Sequence, residues 1–298
     1  MSQELANHYV TQFAGNVLLL AQQMGSKLRP YVDVGMDHKG EKASPVDQIG
    51  SVEMQEVTGR FQDIGRVDAS VTRRWVMPSD ADLNQIVDPH DELRLITDPK
   101  AKYSLNAGYA AGRRFDRQIL AAINGSSYIG KNGTSTLALP SGQKVAINHE
   151  SAGSSGLTVA KLIEARRILM AGNVDLDDPR NKAVCAITAK QSADLIKEAQ
   201  VQSKDFNVKP VLVDGKVTHF MGFDFVHTEL LETSNTTITQ VPVFCKSGVH
   251  LGIWRDMTTD ISRRNDLKGI PWQCYVYLTS GATRVEEAKV VQISCLNV

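Results

Sequence analysis

The chain has 298 residues, of which 42% are hydrophobic and 22% charged, and this composition excludes a disordered or collagen-like class. Thirty-three basic and 33 acidic residues give a formal net charge of zero, so the chain has no basic field for sequence-independent nucleic-acid binding. The four cysteines form no CxxC pair, which favours buried reduced thiols over disulfides. The start of the chain has no basic n-region, and its longest apolar run is too short to cross a bilayer, so we expect a soluble protein made in the cytoplasm.

The N-terminal segment, residues 2–24, predicts an amphipathic helix that has no neighbour in the sequence to pack on. Its apolar residues recur at helical spacing on one face, beginning with Leu5, Tyr9 and Phe13. Gly25 follows as the expected stop. We therefore expect an arm whose apolar face must be covered by another surface.

Residues 29–74 are polar and punctuated by glycine, and they predict a two-stranded ribbon. Residues 51–58 and 67–76 carry the alternating pattern of strands. A two-stranded ribbon is at best marginally stable alone, so it must lie on something else. Charged residues fill both faces, and the candidates for contacts with that surface are Arg60, Asp63, Arg66, Asp68, Arg73 and Arg74.

Residues 98–125 predict one long helix with chemically marked ends. Asp98 can cap the first turn, Pro99 lies where its missing amide costs nothing, and Gly125 permits a left-handed exit. At ~1.5 Å per residue the helix would span roughly 40 Å. The helix should pack on one side only, because its apolar residues form a single stripe of Leu105, Tyr109, Gly112, Phe115, Ile119 and Ile123.

The segment after this helix predicts an α/β unit. Residues 134–147 have a hairpin pattern, and residues 148–156 form a linker of small residues. A helix capped by Thr158 follows as far as Met170. Residues 183–187 then form a short buried strand.

A second helix and a hairpin complete the α/β unit. Thr188 and Gln191 form a capping box that opens a helix ending near Ala199. Residues 209–220 predict a hairpin that turns at an Asp-Gly pair.

The remainder of the chain, residues 241–298, is rich in strands. Long strands are predicted at residues 254–262 and 272–278, with a break at Gly281. We therefore place a central α/β domain at residues 148–245, inserted into an α+β domain that both ends of the chain build.

The nearest approach to a catalytic motif is GSSYIGKN, from Gly125 to Asn132. It differs from the phosphate-binding pattern GxxxxGK[ST] because Asn132 replaces the hydroxyl residue. A phosphate loop also needs a strand before it and a helix after it, whereas here a helix precedes and a strand-like run follows. The motif is interpreted as a helix-stop loop, and a soluble phosphate-binding enzyme is kept as the alternative from another class.

No catalytic residue, cofactor site or metal site is predicted elsewhere. The seven histidines are scattered, with no HExxH motif and no Cys/His cluster at metal-ligand spacing. His219 and His227 are spaced so that they could share one face of a sheet. The pair Asp177 and Asp178 fits turn capping better than acid–base chemistry.

Several stretches of sequence, together with their order, resemble a known family. They include VTRRWV before the long helix, DPKAKYSLNAGYAAGRRFDRQILAAING through it and LVDGKVTHFMGFDFVHTELL beyond it. The order of an arm, a charged loop, a long helix, an inserted α/β domain and final strands is similar to that of the major capsid proteins of tailed double-stranded DNA bacteriophages with the Hong Kong 97-type fold. The resemblance covers nearly the whole chain.

The resemblance implies the α+β Hong Kong 97-type fold and a division of the chain into five segments. These are an N-arm at residues 1–31, an E-loop at 32–76, the first part of a P-domain at 77–147 with its spine helix at 98–124, an A-domain at 148–245, and the C-terminal strands of the P-domain at 246–298.

The resemblance also implies a non-enzymatic subunit that assembles with itself. Pentamers and hexamers would build an icosahedral head around double-stranded DNA, which is confined without sequence-specific binding. The implied partners are a separate scaffolding protein and a portal, with a cement protein as an optional one, and no membrane or cofactor. The protein would be made in the cytoplasm of a bacterial host and end in the virion. A cellular nanocompartment shell of the same fold stays open as an alternative. The implied inter-subunit contacts are Leu5, Tyr9, Phe13, Arg60, Asp63, Arg66, Asp68, Arg73 and Arg74.

Overall fold

The computed structural model describes residues 22–36, 38, 43–56, 59, 65–87, 100–151, 153–178, 181–198, 212–213, 216–234 and 237–297. The predicted contacts Leu5, Tyr9, Phe13, Arg60 and Asp63 and the predicted helix caps Asp98 and Pro99 lie outside these residues. Within the described ranges, none of the helices has the length and apolar character needed to cross a membrane.

The described residues form three α-helices and a larger number of strands. The helices are α1 at Lys100–Asn124, α2 at Val159–Ala171 and α3 at Ala189–Lys197. The strands are β1 (Asp33–Gly35), β2 (Ser44–Ile49), β3 (Val71–Val76), β4 (Ser79–Val87), β5 (Ser127–Ile129), β6 (Ser135–Leu137), β7 (Lys144–Val145), β8 (Ala183–Ile187), β9 (Leu212–Val213), β10 (Lys216–Val217), β11 (His219–Phe220), β12 (Phe223–His227), β13 (Thr233–Ser234), β14 (Ile238–Cys245), β15 (Val249–Arg263), β16 (Trp272–Arg284) and β17 (Val290–Leu296).

The long helix predicted from the sequence is confirmed as α1. Phe115, Ile119 and Ile123 of the predicted stripe are buried in the main core, as expected for a helix that packs on one face. Leu105 near the other end is exposed, so the stripe is covered only in the C-terminal half of the helix. Among the described residues before α1, no helix is formed at residues 22–24, where the predicted arm helix would end.

A four-stranded sheet in the order β1-β15-β16-β4 lies against α1. The two long strands predicted at residues 254–262 and 272–278 are confirmed within β15 and β16. The predicted break at Gly281 is wrong, because β16 continues through it to Arg284. Gly281 instead allows the backbone at Met77 to approach β16 closely, because a Cβ on Gly281 would lie 2.1 Å from the carbonyl oxygen of Met77.

The predicted ribbon is confirmed at its base and shorter than expected. Antiparallel β2 and β3 pair along their length, and β3 continues into a small sheet in the order β2-β3-β5-β6. Residues 51–56, part of the segment predicted as a strand, form no regular structure. The ribbon thus has a supported base and an extended outer part.

The α/β unit contains a larger sheet in the order β11-β12-β8-β14-β17-β7, with β13 paired to β14. The buried strand at residues 183–187 and the two capped helices are confirmed, with Thr158 accepting a bond from the amide of Lys161 and a capping box at Thr188 and Gln191. The pairing of β9 with β10 confirms the hairpin, whose turn residues lie outside the described set.

The hairpin predicted at residues 134–147 is wrong. Strand β6 pairs with β5 in the ribbon sheet, whereas β7 pairs in parallel with β17 in the large sheet. A single turn of 3-10 helix at Ser141–Gln143 separates them. The alternating pattern was correct for each strand, but Val145 is buried in the main core while β6 is not, so the two strands lie in different sheets.

The C-terminal strand links the two parts of the chain. Along its length β17 pairs antiparallel with β14, so a strand of the last segment shares a sheet with strands of the α/β unit. The predicted domain bounds stay a prediction.

All four cysteines are buried and free, as predicted: Cys185, Cys245, Cys274 and Cys295. Burial raises the pKa of the Cys245 thiol to about 11 and that of the Cys295 thiol to about 12. Such thiols stay protonated and act as small apolar side chains.

Candidate functional site

The buried carboxylate of Asp116, in the middle of α1, holds the beginning of the described chain. It accepts hydrogen bonds from the Ser26 hydroxyl at 2.5 Å, the Lys27 amide at 3.0 Å and the Leu28 amide at 3.1 Å, and also from the side-chain amide of Gln23. Asp116 has no exposed surface. A buried carboxylate is tolerated when donors fill its lone pairs, so these bonds fix the turn at residues 26–28 on the helix.

Two glycines make this contact sterically possible. Gly25 adopts a left-handed φ of 79° in a turn, and it is not the helix stop predicted from the sequence, because residues 22–24 form no helix. Gly112 lies one helical turn before Asp116, and a Cβ there would lie only 2.3 Å from the carbonyl carbon of Gly25. Gly112 was predicted as part of the apolar stripe, and its structural role is to let the chain cross the helix closely.

The chain leaves this contact along the helix toward its N-terminus. The side chain of Gln22 donates to Asn106 at 3.0 Å, and Arg113 donates to Gln22 at 2.6 Å. On the other side, the Lys27 ammonium donates to the carbonyl of His227 at 2.8 Å. We call residues 22–28 together with Asp116 the arm anchor, because residues 1–21 continue from it.

A second buried charge holds the ribbon. Arg74 on β3 is 8% exposed, and its guanidinium donates to the Glu287 carboxylate at 2.7 Å and to the carbonyl of Val285 at 3.0 Å. Gln48 on β2 donates to the same carbonyl at 2.8 Å. Both strands of the ribbon are therefore bonded to the segment that follows β16. We call Gln48, Arg74, Val285 and Glu287 the ribbon anchor.

Arg284 closes the end of α1 and was not identified from the sequence. Its fully buried guanidinium donates to the carbonyls of Ile123 at 2.9 Å, Gly125 at 2.8 Å and Leu137 at 3.0 Å. Burial lowers the pKa of Arg284, and Glu287 opposes that shift. The arginine satisfies helix-end carbonyls that would otherwise be buried without a partner.

The left-handed exit predicted at Gly125 is wrong. Among the described residues with positive φ, Gly125 does not occur. A Cβ at this position would lie 2.6 Å from the carbonyl oxygen of Ala121, so the glycine permits tight packing at the helix end. Because Arg284 binds the terminal carbonyls, the helix ends without an αL residue at Gly125.

The outer part of the ribbon exposes several large apolar side chains. They are Ile49, Val52, Met54, Val67 and Val71, and Met54 is fully exposed. Ile49 and Val71 are cross-strand partners, and a concentration of exposed apolar side chains on one segment indicates an interaction site. This ribbon surface lies beyond the ribbon anchor, on the side away from the core.

The charged residues predicted as contacts have partners within the chain wherever they are described. Arg66 pairs with Asp68 at 2.7 Å in the exposed part of the ribbon. Arg73 pairs with Asp47 across β2 and β3 at 2.5 Å, and its hydrogen bond lowers the pKa of Asp47. Arg74 is bonded to Glu287 in its own chain, which gives it an anchoring role that the sequence did not indicate. Contacts of these residues with another chain stay a prediction.

The loop from Gly125 to Asn132 does not have the geometry of a phosphate site. The strand β5 occupies residues 127–129, and a turn leads directly into β6. The carbonyl of Gly130 accepts a 2.7 Å bond from the indole of Trp75. Since no helix follows the loop, no helix N-terminus faces it, and the interpretation as a helix-stop loop is confirmed.

The other candidate groups serve local structure. His219 and His227 lie on different strands, and they bond to Asp224 at 2.8 Å and Glu229 at 2.9 Å. Over the described ranges of the chain, no group of three or more His, Cys, Asp and Glu side chains could hold a metal ion.

Sequence reasoning missed three of the buried charges that hold the described fold together and gave a fourth, Arg74, a different role. Besides Asp116 and Arg284, Lys161 is fully buried and its ammonium donates to the carbonyls of Ser155, Gly156 and Ser294 at 2.9–3.0 Å. Burial lowers the pKa of Lys161. A charge directly beside an apolar stripe, such as Asp116 after Phe115, was the available signal, but it did not indicate a partner.

Comparisons with known proteins give a consistent result. A family model described as phage capsid protein matches residues 5–297. No curated protein matches the sequence. Several solved structures are similar to this chain. The capsid structure of cyanophage P-SCSP1u has a TM-score of 0.71 at 16% identity, covering 100% of this chain and 96% of that one.

Two further structures are similar over nearly the whole chain. The capsid of Ralstonia phage GP4 has a TM-score of 0.71 at 9% identity and covers 94% of this chain and 93% of that one. The acid-stable capsid of Helicobacter pylori bacteriophage KHP30 has a TM-score of 0.70 at 10% identity, with coverage of 99% and 98%. At such identities the likeness shows a shared fold.

Proposed function

This chain belongs to the phage capsid protein family, and from that premise we propose that it is the repeating subunit of an icosahedral phage head. Its fold is the Hong Kong 97-type capsid fold predicted from the sequence. It is a structural protein of the virion and not an enzyme. We propose further that it assembles as pentamers and hexamers around double-stranded DNA.

The observation that carries this proposal is the ribbon anchor with exposed apolar side chains beyond it, together with the arm anchor from which residues 1–21 continue. The arm anchor and the ribbon anchor each hold the base of a segment firmly, with buried Asp116 and Arg74 at their centres. Past the ribbon anchor, apolar side chains such as Val52 and Met54 are exposed. A segment held at its base and apolar beyond it is suited to cover a neighbouring copy. Obligate interfaces bury roughly 2,000–5,000 Å² and are more hydrophobic than transient ones.

The exposed charges of the ribbon fit the same role. Arg66, Asp68 and Arg73 lie on the ribbon with both signs present, so one copy offers partners for another. Because the protein chain has a formal net charge of zero, the shell would confine the DNA without binding it electrostatically. Repeated head-to-tail contacts of one kind close into rings, which supports pentamers and hexamers.

The remaining assignments follow from this role. We propose the division into N-arm, E-loop, P-domain and A-domain at the bounds given by the sequence, with the arm residues Leu5, Tyr9 and Phe13 as contacts. A separate scaffolding protein and a portal are the proposed partners, with a cement protein optional. Synthesis would take place in the cytoplasm of a bacterial host.

The deciding experiment shortens the ribbon without disturbing its base. The amide of Gly50 donates to the carbonyl of Ser70 at 2.7 Å, so the two strands are already close where residues 51–69 begin and end. Replacing residues 51–69 by Asn-Gly should close a two-residue hairpin and keep the ribbon anchor. We expect a folded, soluble subunit that forms no shells under conditions in which the unaltered protein does.

A matched control replaces Gly130 and Lys131, in the turn between β5 and β6, by Asn-Gly. That change alters a loop of the same small sheet without touching the outer ribbon, so shells should form normally. Normal particles from the shortened ribbon would contradict the assembly role. Electron microscopy and sedimentation show whether each variant forms shells. The contents of purified particles distinguish a head that holds a genome from a nanocompartment that holds an enzyme cargo.

A further inference from the structure

The dipeptide Asn-Gly occurs twice in the chain, as Asn124 with Gly125 and as Asn132 with Gly133. The first pair ends α1, and the second lies in the turn between β5 and β6. In such a pair the backbone nitrogen of the glycine can attack the side-chain carbonyl carbon of the asparagine, because glycine has no Cβ to hinder the approach. The fold places the two copies of this dipeptide in opposite surroundings.

The first pair is held by hydrogen bonds at both reacting groups. The side chain of Asn124 accepts a bond from Gln292 at 3.2 Å and donates to the Glu232 carboxylate at 3.5 Å. The amide of Gly125 donates to the carbonyl of Ala121 at 2.8 Å. A nitrogen bonded at a helix end is turned away from the side chain before it, and the nearby carboxylate disfavours negative charge on that nitrogen. This copy of the dipeptide is therefore protected.

The second pair has no such bonds. Asn132 is exposed, and within the part of the chain that the structure describes neither its side chain nor the amide of Gly133 makes a hydrogen bond. The turn keeps its shape through Trp75, whose indole donates to the carbonyl of Gly130 at 2.7 Å and whose ring would lie 2.9 Å from a Cβ on Gly133. The side chain of Asn132 is thus free to rotate toward the nitrogen of Gly133.

The charge around the second pair favours the attack. Lys131 directly precedes Asn132, is exposed, and has no acidic partner among the residues described. Arg73 lines the groove beside the turn, but its guanidinium is already paired with Asp47. As the attack begins, the glycine nitrogen loses its proton and carries negative charge, and the uncompensated ammonium of Lys131 stabilises that charge.

We propose that Asn132 is a site of spontaneous covalent modification that converts it to aspartate or isoaspartate, whereas Asn124 is preserved. The nitrogen of Gly133 forms a bond to the side-chain carbonyl carbon of Asn132, and the bond from that carbon to the side-chain nitrogen breaks. Ammonia leaves with the proton that the glycine nitrogen has lost. Water then opens the five-membered imide at either carbonyl, which gives aspartate or isoaspartate. The reaction needs no oxidant and no enzyme.

The product would change the turn after folding is complete. Each conversion replaces a neutral side chain with a carboxylate next to Lys131. Isoaspartate also adds one carbon to the main chain between Gly130 and Gly133, the two residues that Trp75 contacts. Because Trp75 lies on β3, the change would reach the base of the ribbon. Only its effect on shells rests on the proposed function, and the modification itself is tested in the unassembled subunit.

The test is prolonged incubation of the unassembled subunit at about pH 8.5, followed by tryptic digestion in heavy-oxygen water and peptide mass spectrometry. Cleavage after Arg117, Lys131 and Lys144 separates the two asparagines into different peptides, and the heavy isotope marks any conversion that occurs during handling. In the folded protein Asn132 should convert at least about tenfold faster than Asn124, because the end of α1 must open before its asparagine can react.

The same measurement on the chain unfolded in urea is the matched control. There the two rates should agree within about threefold, because the dipeptides are identical and the protecting bonds are gone. Equal rates in the folded protein would overturn the proposal, and so would an Asn132 that stays intact in the folded protein while the unfolded chain converts.

A variant identifies the reacting side chain. In Asn132→Gln the attack would have to close a six-membered imide, so loss of ammonia from this peptide should fall at least about tenfold. Undiminished loss of ammonia in the variant would show that the reacting group is not Asn132. Failure of shell assembly would leave these results unaffected, since all of them come from the unassembled subunit.

Discussion

The carboxylate of Asp116 accepts a 3.1 Å hydrogen bond from the amide of Leu28, across 88 positions of sequence. Both residues are fully buried. The bond joins the base of the N-terminal arm to the middle of the long helix, so that the direction in which the arm leaves is set by the core.

Replacing Asp116 with alanine should destabilise the unassembled subunit strongly. The buried amide of Leu28 and the half-buried Lys27 amide and Ser26 hydroxyl would lose their acceptor, and an unpaired buried donor costs about 1–3 kcal/mol. We expect the free energy of unfolding in urea to fall by roughly 3 kcal/mol or more. The exposed Asp82 on β4 is the matched control, and Asp82→Ala should change the free energy of unfolding by less than about 0.5 kcal/mol. Equal effects at the two positions would contradict the anchoring role.

Two glycines of α1 should respond to alanine with opposite signs. Helix propensity alone favours Gly→Ala by about 1 kcal/mol, and at Gly108 the new Cβ would meet only the end of Met257 at 4.0 Å. At Gly112 it would lie 2.3 Å from the backbone of Gly25, which cannot move aside cheaply. We expect Gly108→Ala to raise the melting temperature and Gly112→Ala to lower it. A stabilising Gly112→Ala would show that the arm does not cross the helix there.

Arg284→Lys should cost stability although the charge is kept. A lysine ammonium cannot reproduce the planar fork that donates to Ile123, Gly125 and Leu137, so at least one buried carbonyl loses its partner. We expect a loss of about 2–4 kcal/mol in chemical denaturation. Arg263, at the exposed end of β15, is the control: its guanidinium lies over the ring of Trp272. Arg263→Lys should lower the free energy of unfolding by less than about 1 kcal/mol. Similar losses at both arginines would argue against the helix-end role.

The buried thiols should make the protein less stable at alkaline pH. The unfolded chain releases its cysteine protons near pH 9.0, whereas burial raises the pKa of folded Cys245 to about 11. Between these values the unfolded state binds fewer protons, so the free energy of unfolding falls as the pH rises, by at most ~1.4 kcal/mol per pH unit for each thiol.

Comparing the wild type with Cys245→Ala over pH 8–11 isolates this effect. The cavity left by the substitution lowers stability equally at every pH, so only the slope should differ, and the variant should have the shallower alkaline fall. Native protein at pH 8 should also leave all four thiols unmodified by an aromatic disulfide reagent. Identical slopes, or rapid labelling of Cys245 in the folded protein, would show that the thiol is accessible.

The elements that could be predicted were those with a local signal. The helix α1, the buried strand β8 and the capping box at Thr188 were identified because periodicity and caps depend on residues a few positions apart. Errors arose where partners are distant. The strands β6 and β7 follow one another closely but belong to different sheets, and nothing near them in sequence indicates which sheet each one joins.

The candidate sites show the same division. The ribbon was recognised from its polar, alternating pattern, but its exposed apolar side chains were not, and Arg74 was assigned to a neighbouring copy because its partner, Glu287, lies 213 positions away. A buried charge cannot be predicted from the sequence pattern, because charged side chains are normally exposed and are buried only where partners bind them. All the residues predicted as inter-subunit contacts still await a test: Leu5, Tyr9, Phe13, Arg60, Asp63, Arg66, Asp68, Arg73 and Arg74.

The sequence by itself determined the ribbon, the long helix and the α/β unit, because those features follow from local periodicity and composition. The resemblance of its stretches and their order to known capsid proteins indicated the family. Tertiary structure alone decided how the arm and the ribbon are held, through Asp116 and Arg74, and how the end of α1 is closed, through Arg284. It also brought His38 within 3.0 Å of His250. The physical reason is that a buried polar group is stable only when distant parts of the chain supply all its hydrogen bonds. The folded geometry provides these partners, and the residues next to the group in sequence do not reveal them.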